Sequence, residues 1–237
     1  MENWTFKTAS RDFFEIIAIL GFVVVIPVCA ERIMVAAGLG VTGSNRIIAT
    51  GIIFVAWALL AALFVAINRE SLSEVGLKKP SSVSRTSLYG LFVAAAVFVV
   101  VVGLEKLGYG ANRIGEMATE LKGNPALLAQ RIVISVLIVG FVEEFIFRGF
   151  LLLRLTKLFG GSNVATATAL VMQAALFGLS HAYQHLYGIL LTGFLGLFFG
   201  IVYLALNRNL WVVVIGHGLY DAAHALFLAG LFGTTRS

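Results

Sequence analysis

Three charged residues stand close together in an otherwise apolar part of the chain. The hexapeptide Glu-Glu-Phe-Ile-Phe-Arg occupies residues 143–148, between the largely apolar stretches 127–140 and 149–153. One ionised group at bilayer depth costs about 2.5–3.5 kcal/mol on the insertion scale. Ionisable residues within a membrane therefore usually mark a functional site. We interpret this hexapeptide as the chemical centre of the protein.

The spacing of the three charges separates their roles. Glu144 and Arg148 are four residues apart, so on a helix they share one face with the acid before the base. This pairing can neutralise one carboxylate. Glu143 points about 100° away and has no cation nearby in the sequence. Such a carboxylate suits a general base that takes a proton from water. The alternative is an ion-pair network that only fixes helix packing.

The histidines of the chain give the second set of candidates. All four lie in its last quarter, in or beside apolar stretches. His181 follows Phe-Gly-Leu-Ser, and alone it could be a packed or interfacial residue. His217 and Asp221 are four residues apart and share a helix face, where a carboxylate can fix the tautomer of an imidazole. The alternative is a buried hydrogen-bonded pair that holds two helices together. His224 lies three residues after Asp221, so we expect it at most to contact Asp221 and not to take part in the reaction itself.

Two further features are expected to be structural. His185 lies where the apolar pattern breaks, which indicates a loop or an interfacial position. Gly193, Gly196 and Gly200 have a spacing of small residues that is more typical of close helix packing than of chemistry.

Composition places the chain in a membrane. Hydrophobic residues make up 59% of its 237 residues and charged residues only 12%, against about 25% charged residues in soluble domains. The single cysteine excludes an intramolecular disulfide. The net charge of +5 comes from basic residues placed singly between apolar runs. This pattern is typical of loops near anionic lipid, so we expect membrane lipid as a partner and no nucleic acid.

Apolar stretches of about 20 residues, the length that crosses a bilayer, predict the fold. We expect an all-α, polytopic transmembrane helix bundle with about seven spans, or eight with a re-entrant or short helix. The predicted spans are 13–37, 46–67, 87–107, 127–153, 163–183, 186–206 and 210–231. No internal repeat with broken helices is visible, which weakens the hypothesis of an ion-coupled transporter. These boundaries leave His181 near a membrane surface although Glu143 lies near mid-span.

We divide the chain into three parts. Residues 1–85 are predicted to form an N-terminal transmembrane hairpin and a basic surface loop. Residues 86–231 form the core that contains all the candidate site residues, and residues 232–237 form a tail.

Three motifs carry a resemblance to a known family. Glu-Glu-x-x-x-Arg at 143–148, Phe-x-x-x-His at 177–181 and His-x-x-x-Asp at 217–221 occur in the order and rough spacing of its motifs. The sequence resembles the CPBP intramembrane proteases, which include CAAX prenyl endopeptidases and bacteriocin-processing or Abi-like immunity proteins. The segment 75–80 (Val-Gly-Leu-Lys-Lys-Pro) is similar to one that often precedes the family domain, which covers about 86–231 here.

The resemblance implies a role for each motif residue. Glu143 would activate water with help from His181, and His217 with Asp221 would polarise the scissile carbonyl and stabilise the oxyanion. Glu144 and Arg148 would order the site. The family often has Asn where this chain has Asp221. An ionised Asp cannot donate a hydrogen bond to an oxyanion, so Asp221 must be protonated or orient His217.

The resemblance implies an intramembrane endopeptidase that acts on a peptide or membrane-protein substrate. We expect it in the plasma membrane of a prokaryotic cell, and we expect metal-independent hydrolysis without a cofactor. The alternative chemistry is a zinc site, for which the candidate ligands are Glu143, His181, His217 and Asp221. The alternative function is a non-catalytic membrane scaffold or immunity protein of the same fold.

Overall fold

Helices form all the regular secondary structure of the described residues, which are 6–36, 38 and 43–230 of this computed structural model. The eight helices are α1 (Phe6–Ala36), α2 (Gly43–Ile67), α3 (Val83–Lys106), α4 (Ala111–Leu121), α5 (Pro125–Leu158), α6 (Asn163–Ser180), α7 (His185–Ala205) and α8 (Leu210–Leu228). A single 3-10 turn, Ala182–Gln184, joins α6 to α7. The predicted all-α fold is confirmed.

Six of the described helices are long and apolar enough to cross a membrane: α2, α3, α5, α6, α7 and α8. The protein is therefore an integral, multi-pass membrane protein. The 31-residue α1 stays the predicted seventh span. The 11-residue α4 is the short extra helix and is too short to cross a bilayer. The predicted tail 232–237, and the predicted span ends at 37 and 231, lie outside the described residues.

The boundaries of α5 differ most from the prediction among the spans of the core. The helix begins at Pro125, where the Asn124 side chain accepts a hydrogen bond from the backbone N–H of Leu127. It ends at Leu158, whereas the predicted end at 153 is wrong. The helix continues past 153 because Arg154, a charge that predicts a loop in the sequence, is fully buried. It is paired with acids from elsewhere in the chain. Helix α1 also begins earlier than predicted, at Phe6.

Helix α5 contains two π-helical stretches. They span Ser135–Val139 and Phe145–Leu151, on either side of the α-helical turn Gly140–Glu144. A π turn holds more residues than an α turn, and such bulges occur frequently at functional sites. The two acidic residues of the hexapeptide thus lie on a short α-helical segment. The π-helical stretches on either side of it change the direction in which these side chains point around the helix axis.

Arg154 is the centre of a buried ion-pair network at one end of the bundle. Its Nε lies 2.6 Å from a Glu15 carboxylate oxygen, and its Nη1 lies 2.6 Å from Glu70 Oε1. Lys157 also pairs with Glu70, and Asn68 donates a hydrogen bond to Glu15 over 2.7 Å. The network joins α1, the turn after α2 and the end of α5. It therefore ties the N-terminal hairpin to the core.

Glu70 makes this network sensitive to acid. Burial disfavours its charged form, but the hydrogen bonds from Arg154 and Lys157 outweigh burial and lower the pKa of Glu70 below its ordinary value of 4.5. Its stabilising contribution is therefore complete above that ordinary value and is lost as the pH falls through the lowered pKa. We expect the melting temperature in detergent to fall below pH 4.5, and to fall less steeply in Glu70→Gln. Parallel melting curves of the two proteins would contradict this.

The segment between α2 and α3 packs onto the bundle. Val75 is fully buried, and a Cβ on Gly149 of α5 would lie 2.7 Å from its carbonyl oxygen. The carbonyl of Gly76 accepts a hydrogen bond from the N–H of Leu210 over 3.1 Å, which anchors the segment to the start of α8. The Lys78 carbonyl accepts a hydrogen bond from the Trp211 indole. The segment predicted to precede the family domain thus contacts the residue that follows Arg148.

Candidate functional site

Two glycines bring α5 and α8 close together at the site. A Cβ on Gly140 would lie 3.1 Å from the backbone nitrogen of Gly218, and one on Gly218 would lie 3.2 Å from the Cα of Val136. Small residues allow such close backbone approach in membrane helices. Because of it, the side chain of His217 reaches the side chain of Glu144 across the interface.

Gly140→Ala should force these helices apart. The added Cβ would lie 3.1 Å from the Gly218 backbone nitrogen, which is shorter than an ordinary van der Waals contact of a Cβ atom. Overpacking of this kind costs about 1–3 kcal/mol. The matched control is Gly103→Ala in α3, where no described atom lies within 4 Å of the new Cβ. That change should stabilise the helix slightly, because alanine is the better helix former. Equal melting temperatures for the two variants would contradict the expected crowding.

His217 is held by Glu144 through one ring nitrogen. Its Nδ1 lies 2.8 Å from Glu144 Oε1, and both side chains are buried. An ionised carboxylate can only accept, so Nδ1 donates the proton of this bond. The imidazole also stacks on the ring of Phe199 with centroids 5.4 Å apart. The tautomer and the orientation of the ring are both fixed by these contacts.

The second ring nitrogen of His217 faces two other acids. Its Nε2 lies 3.8 Å from Glu143 Oε2 and 3.8 Å from Asp221 Oδ2. Glu143 is only 7% exposed, so it faces protein and not acyl chains. The predicted proximity of His217 and Asp221 on one helix face is present. Glu143 and Glu144, about 100° apart on their own helix, thus flank the same imidazole from two sides.

Arg148 completes a buried charge pair with Glu144. Its Nη1 donates to Glu144 Oε1 over 3.0 Å, as the spacing of four residues predicts, and both side chains are fully buried. The guanidinium lies over the rings of Phe177 and Phe199, 4.5 Å and 5.3 Å from their centroids. Aromatic faces attract a desolvated cation. Glu144 therefore holds Arg148 and His217 through the same oxygen.

His181 reaches this group through Phe177. Its Nδ1 lies 2.8 Å from the carbonyl oxygen of Phe177, and the two rings are 4.8 Å apart. Because a carbonyl only accepts, Nδ1 carries the proton of this bond. The guanidinium of Arg148 lies over the same Phe177 ring. His181 is thus joined to the buried pair across one aromatic ring.

The depth of His181 is explained by unequal helix lengths. Helix α6 is about 27 Å long at 1.5 Å per residue, whereas α5 is about 50 Å long. The two helices run antiparallel from a short turn. Counted from that turn, Glu143 lies about 22 Å along α5 and His181 about 27 Å along α6. The end of α6 therefore lies beside the middle of α5, and Phe147 contacts Phe177 with ring centroids 4.8 Å apart.

The two remaining histidines lie apart from this centre. His185 is an exposed residue at the start of α7, as its position in the sequence predicts. His224 pairs with Glu105 of α3, its Nε2 2.8 Å from Glu105 Oε1. No sequence pattern indicates this partner, which lies over a hundred positions away. The glycines of α7 pack closely against α6, since a Cβ on Gly196 or Gly200 would crowd Phe177 or Leu170.

The same side chains include the residue types that bind zinc. Within the part of the chain that the structure describes, no three side chains of the metal-binding types converge closely enough to hold an ion. The four candidate zinc ligands do not form a ligand set in this arrangement. Metal-independent hydrolysis remains a prediction.

A buried group of carboxylates, an imidazole and a guanidinium within a polytopic helix bundle is typical of a functional site inside the membrane. Residues 125–223 match the family described as Type II CAAX prenyl endopeptidase Rce1-like. This match contains all three motifs and confirms the resemblance to the CPBP intramembrane proteases. The matched segment is thus similar to the CAAX-type intramembrane proteases. Comparisons with curated proteins and with solved structures give no match.

Proposed function

We propose that the chain hydrolyses a peptide bond within or next to the bilayer with a water molecule activated by Glu143. The observation that carries this proposal is the arrangement in which the buried Glu143 and the partly exposed Asp221 both face Nε2 of a single, fixed His217. Amide hydrolysis needs a base for the attacking water and a donor for the developing oxyanion. The Glu143 carboxylate provides the base, and the anchored His217 imidazole provides the donor.

Each residue then has a separate task. Glu143 takes the proton of the water, and His181, whose Nδ1 donates to the Phe177 carbonyl, assists it from the end of α6. His217 presents Nε2 to the scissile carbonyl while Glu144 holds its Nδ1. Asp221 acts indirectly by favouring a proton on Nε2, since an ionised carboxylate cannot donate to an oxyanion itself. The proton from water finally reaches the leaving amine.

The description of the matched family supports a prenylated CAAX substrate. We propose a peptide or a membrane protein that bears a lipid-modified cysteine near its C-terminus. The substrate would reach the site from the surrounding lipid, since the centre lies on membrane-spanning helices. We place the protein in a prokaryotic plasma membrane.

The test is cleavage of a defined probe by the full-length protein in liposomes. The probe is a fluorogenic peptide that ends in S-farnesyl-cysteine followed by three residues, and mass spectrometry locates the broken bond. We expect cleavage after the modified cysteine and much slower cleavage of the same peptide without the farnesyl group. Failure to cleave any such peptide, with a cellular phenotype that persists in Glu143→Gln, would favour the non-catalytic scaffold.

A chelator tests the metal question. Because the described acids and histidines do not form a metal ligand set, we expect cleavage to continue within twofold of its initial rate after treatment with 1,10-phenanthroline. Loss of activity that is restored by added zinc, but not by magnesium, would show that the water is activated by a metal ion. A soluble zinc protease assayed in the same liposome buffer is the control.

A further inference from the structure

Gln173 is a fully buried polar residue in the middle of α6. A buried amide is costly unless it is hydrogen-bonded. The Gln173 Nε2 donates to the carbonyl oxygen of Leu170 over 3.2 Å and to that of Gly196 over 3.0 Å. Both acceptors are carbonyls, so the amide nitrogen must face them and the orientation of the side chain is fixed.

The carbonyl of Gly196 has a second donor. Arg148 Nη2 lies 3.3 Å from the same oxygen. The backbone at this point cannot move freely, since a Cβ on Gly196 would lie 3.0 Å from the Phe177 ring and 3.2 Å from the Cα of Ala174. One oxygen of α7 is therefore held from α6 by Gln173 and in turn holds the guanidinium of α5.

These bonds form one continuous path to the centre of the site. The path runs from Gln173 to the Gly196 carbonyl over 3.0 Å, to Arg148 over 3.3 Å, to Glu144 over 3.0 Å and to His217 over 2.8 Å. Gln173 also lies one turn before Phe177 on the face of α6 that contacts Arg148. It contacts none of the proposed reacting groups among the described hydrogen bonds.

We propose that Gln173 is a positioning residue that orients the His217 imidazole through the Gly196 carbonyl, Arg148 and Glu144. This inference rests on the proposed function for its catalytic consequence, although the geometry it describes is independent of that function. Removing the amide donors leaves the Gly196 carbonyl with Arg148 alone, so the guanidinium moves toward it. Glu144 and the imidazole follow, and small misplacements of reacting groups cost on the order of 10²-fold in rate.

The test compares two variants in α6. Gln173→Met removes the donors at similar volume, whereas Leu170→Met changes the packing against Gly200 and leaves every bond of the path in place. On the farnesylated peptide we expect kcat of Gln173→Met to fall at least tenfold with KM within twofold. We expect both constants of Leu170→Met to stay within twofold of those of the unmodified chain.

A spectroscopic measurement separates this inference from the proposed function. In protein labelled with ¹⁵N-histidine, the Nδ1 resonance of His217, assigned by its loss in His217→Ala, should shift in Gln173→Met and not in Leu170→Met. An inactive unmodified protein would overturn the proposed function, and the shift would still decide the role of Gln173. Unchanged resonances, or equal losses of kcat in both variants, would overturn that role. Should Gln173→Met fail to fold, Gln173→Asn, which is one methylene too short for Gly196, is judged by the same criteria.

Discussion

Glu143→Gln is expected to lower kcat by about 10²–10⁴-fold, the usual contribution of a general base. Glutamine has nearly the same shape as glutamate but cannot take a proton from water. The side chain is only 7% exposed, so the neutral amide should be tolerated at least as well as the carboxylate. We therefore expect an unchanged melting temperature. The measurement is cleavage of the farnesylated peptide in liposomes, together with thermal unfolding of the same preparation.

Glu105→Gln is the matched control for this variant. It also neutralises a buried carboxylate that faces an imidazole, since Glu105 pairs with His224 at 2.8 Å. The pair joins α3 to α8 away from the motif residues. We expect kcat of Glu105→Gln within a few-fold of the unmodified chain. Retained cleavage in Glu143→Gln, or equal losses in both variants, would remove Glu143 from the role of base.

Arg148→Met is expected to destabilise the fold by about 3–5 kcal/mol, the usual cost of removing one partner of a buried ion pair. Glu144 would lose its guanidinium partner and keep only the hydrogen bond from His217, at a position with no exposure to solvent. In the double variant Glu144→Leu with Arg148→Met, no charge is left unpaired, and apolar replacement of both partners is often neutral. We expect most of the lost stability to return, while cleavage stays low because His217 has lost the carboxylate on its Nδ1.

The control for this cycle is an ion pair in water. Arg46 pairs with Glu120 at 2.5 Å, but both side chains are at least one-third exposed. Arg46→Met should therefore cost less than about 1 kcal/mol. Unfolding in mixed micelles with increasing denaturing detergent gives both values. Equal costs for Arg46→Met and Arg148→Met would show that the Glu144–Arg148 pair contributes no more than a surface pair.

Local spacing predicted the parts of the site that depend on one helix. The pairing of Glu144 with Arg148 and the proximity of His217 to Asp221 follow from residues four apart. The close packing of the α7 glycines follows in the same way. The family resemblance added the expectation that separate helices meet at one centre, and α5 and α8 do meet there through His217.

The parts that could not be predicted depend on contacts distant in sequence or on irregular helix geometry. The partner of His224 is Glu105, and no spacing rule connects them. The end of α5 was predicted too early because Arg154 is stabilised by Glu15 and Glu70 from other elements. The two π-helical stretches of α5 leave no signal in hydropathy. They set the directions of Glu143 and Glu144, which periodicity at 3.6 residues per turn describes only approximately.

The ion pairs of Arg154 have a consequence for any attempt to isolate the family-matched segment as a smaller protein. The family match begins at residue 125 and includes Arg154, yet the acids that neutralise it, Glu15 and Glu70, precede that boundary. A fragment cut there would retain every motif residue and leave the buried guanidinium of Arg154 without these partners. A workable minimal version must therefore retain α1 and the turn after α2, which carry the two acids, or replace Arg154 as well.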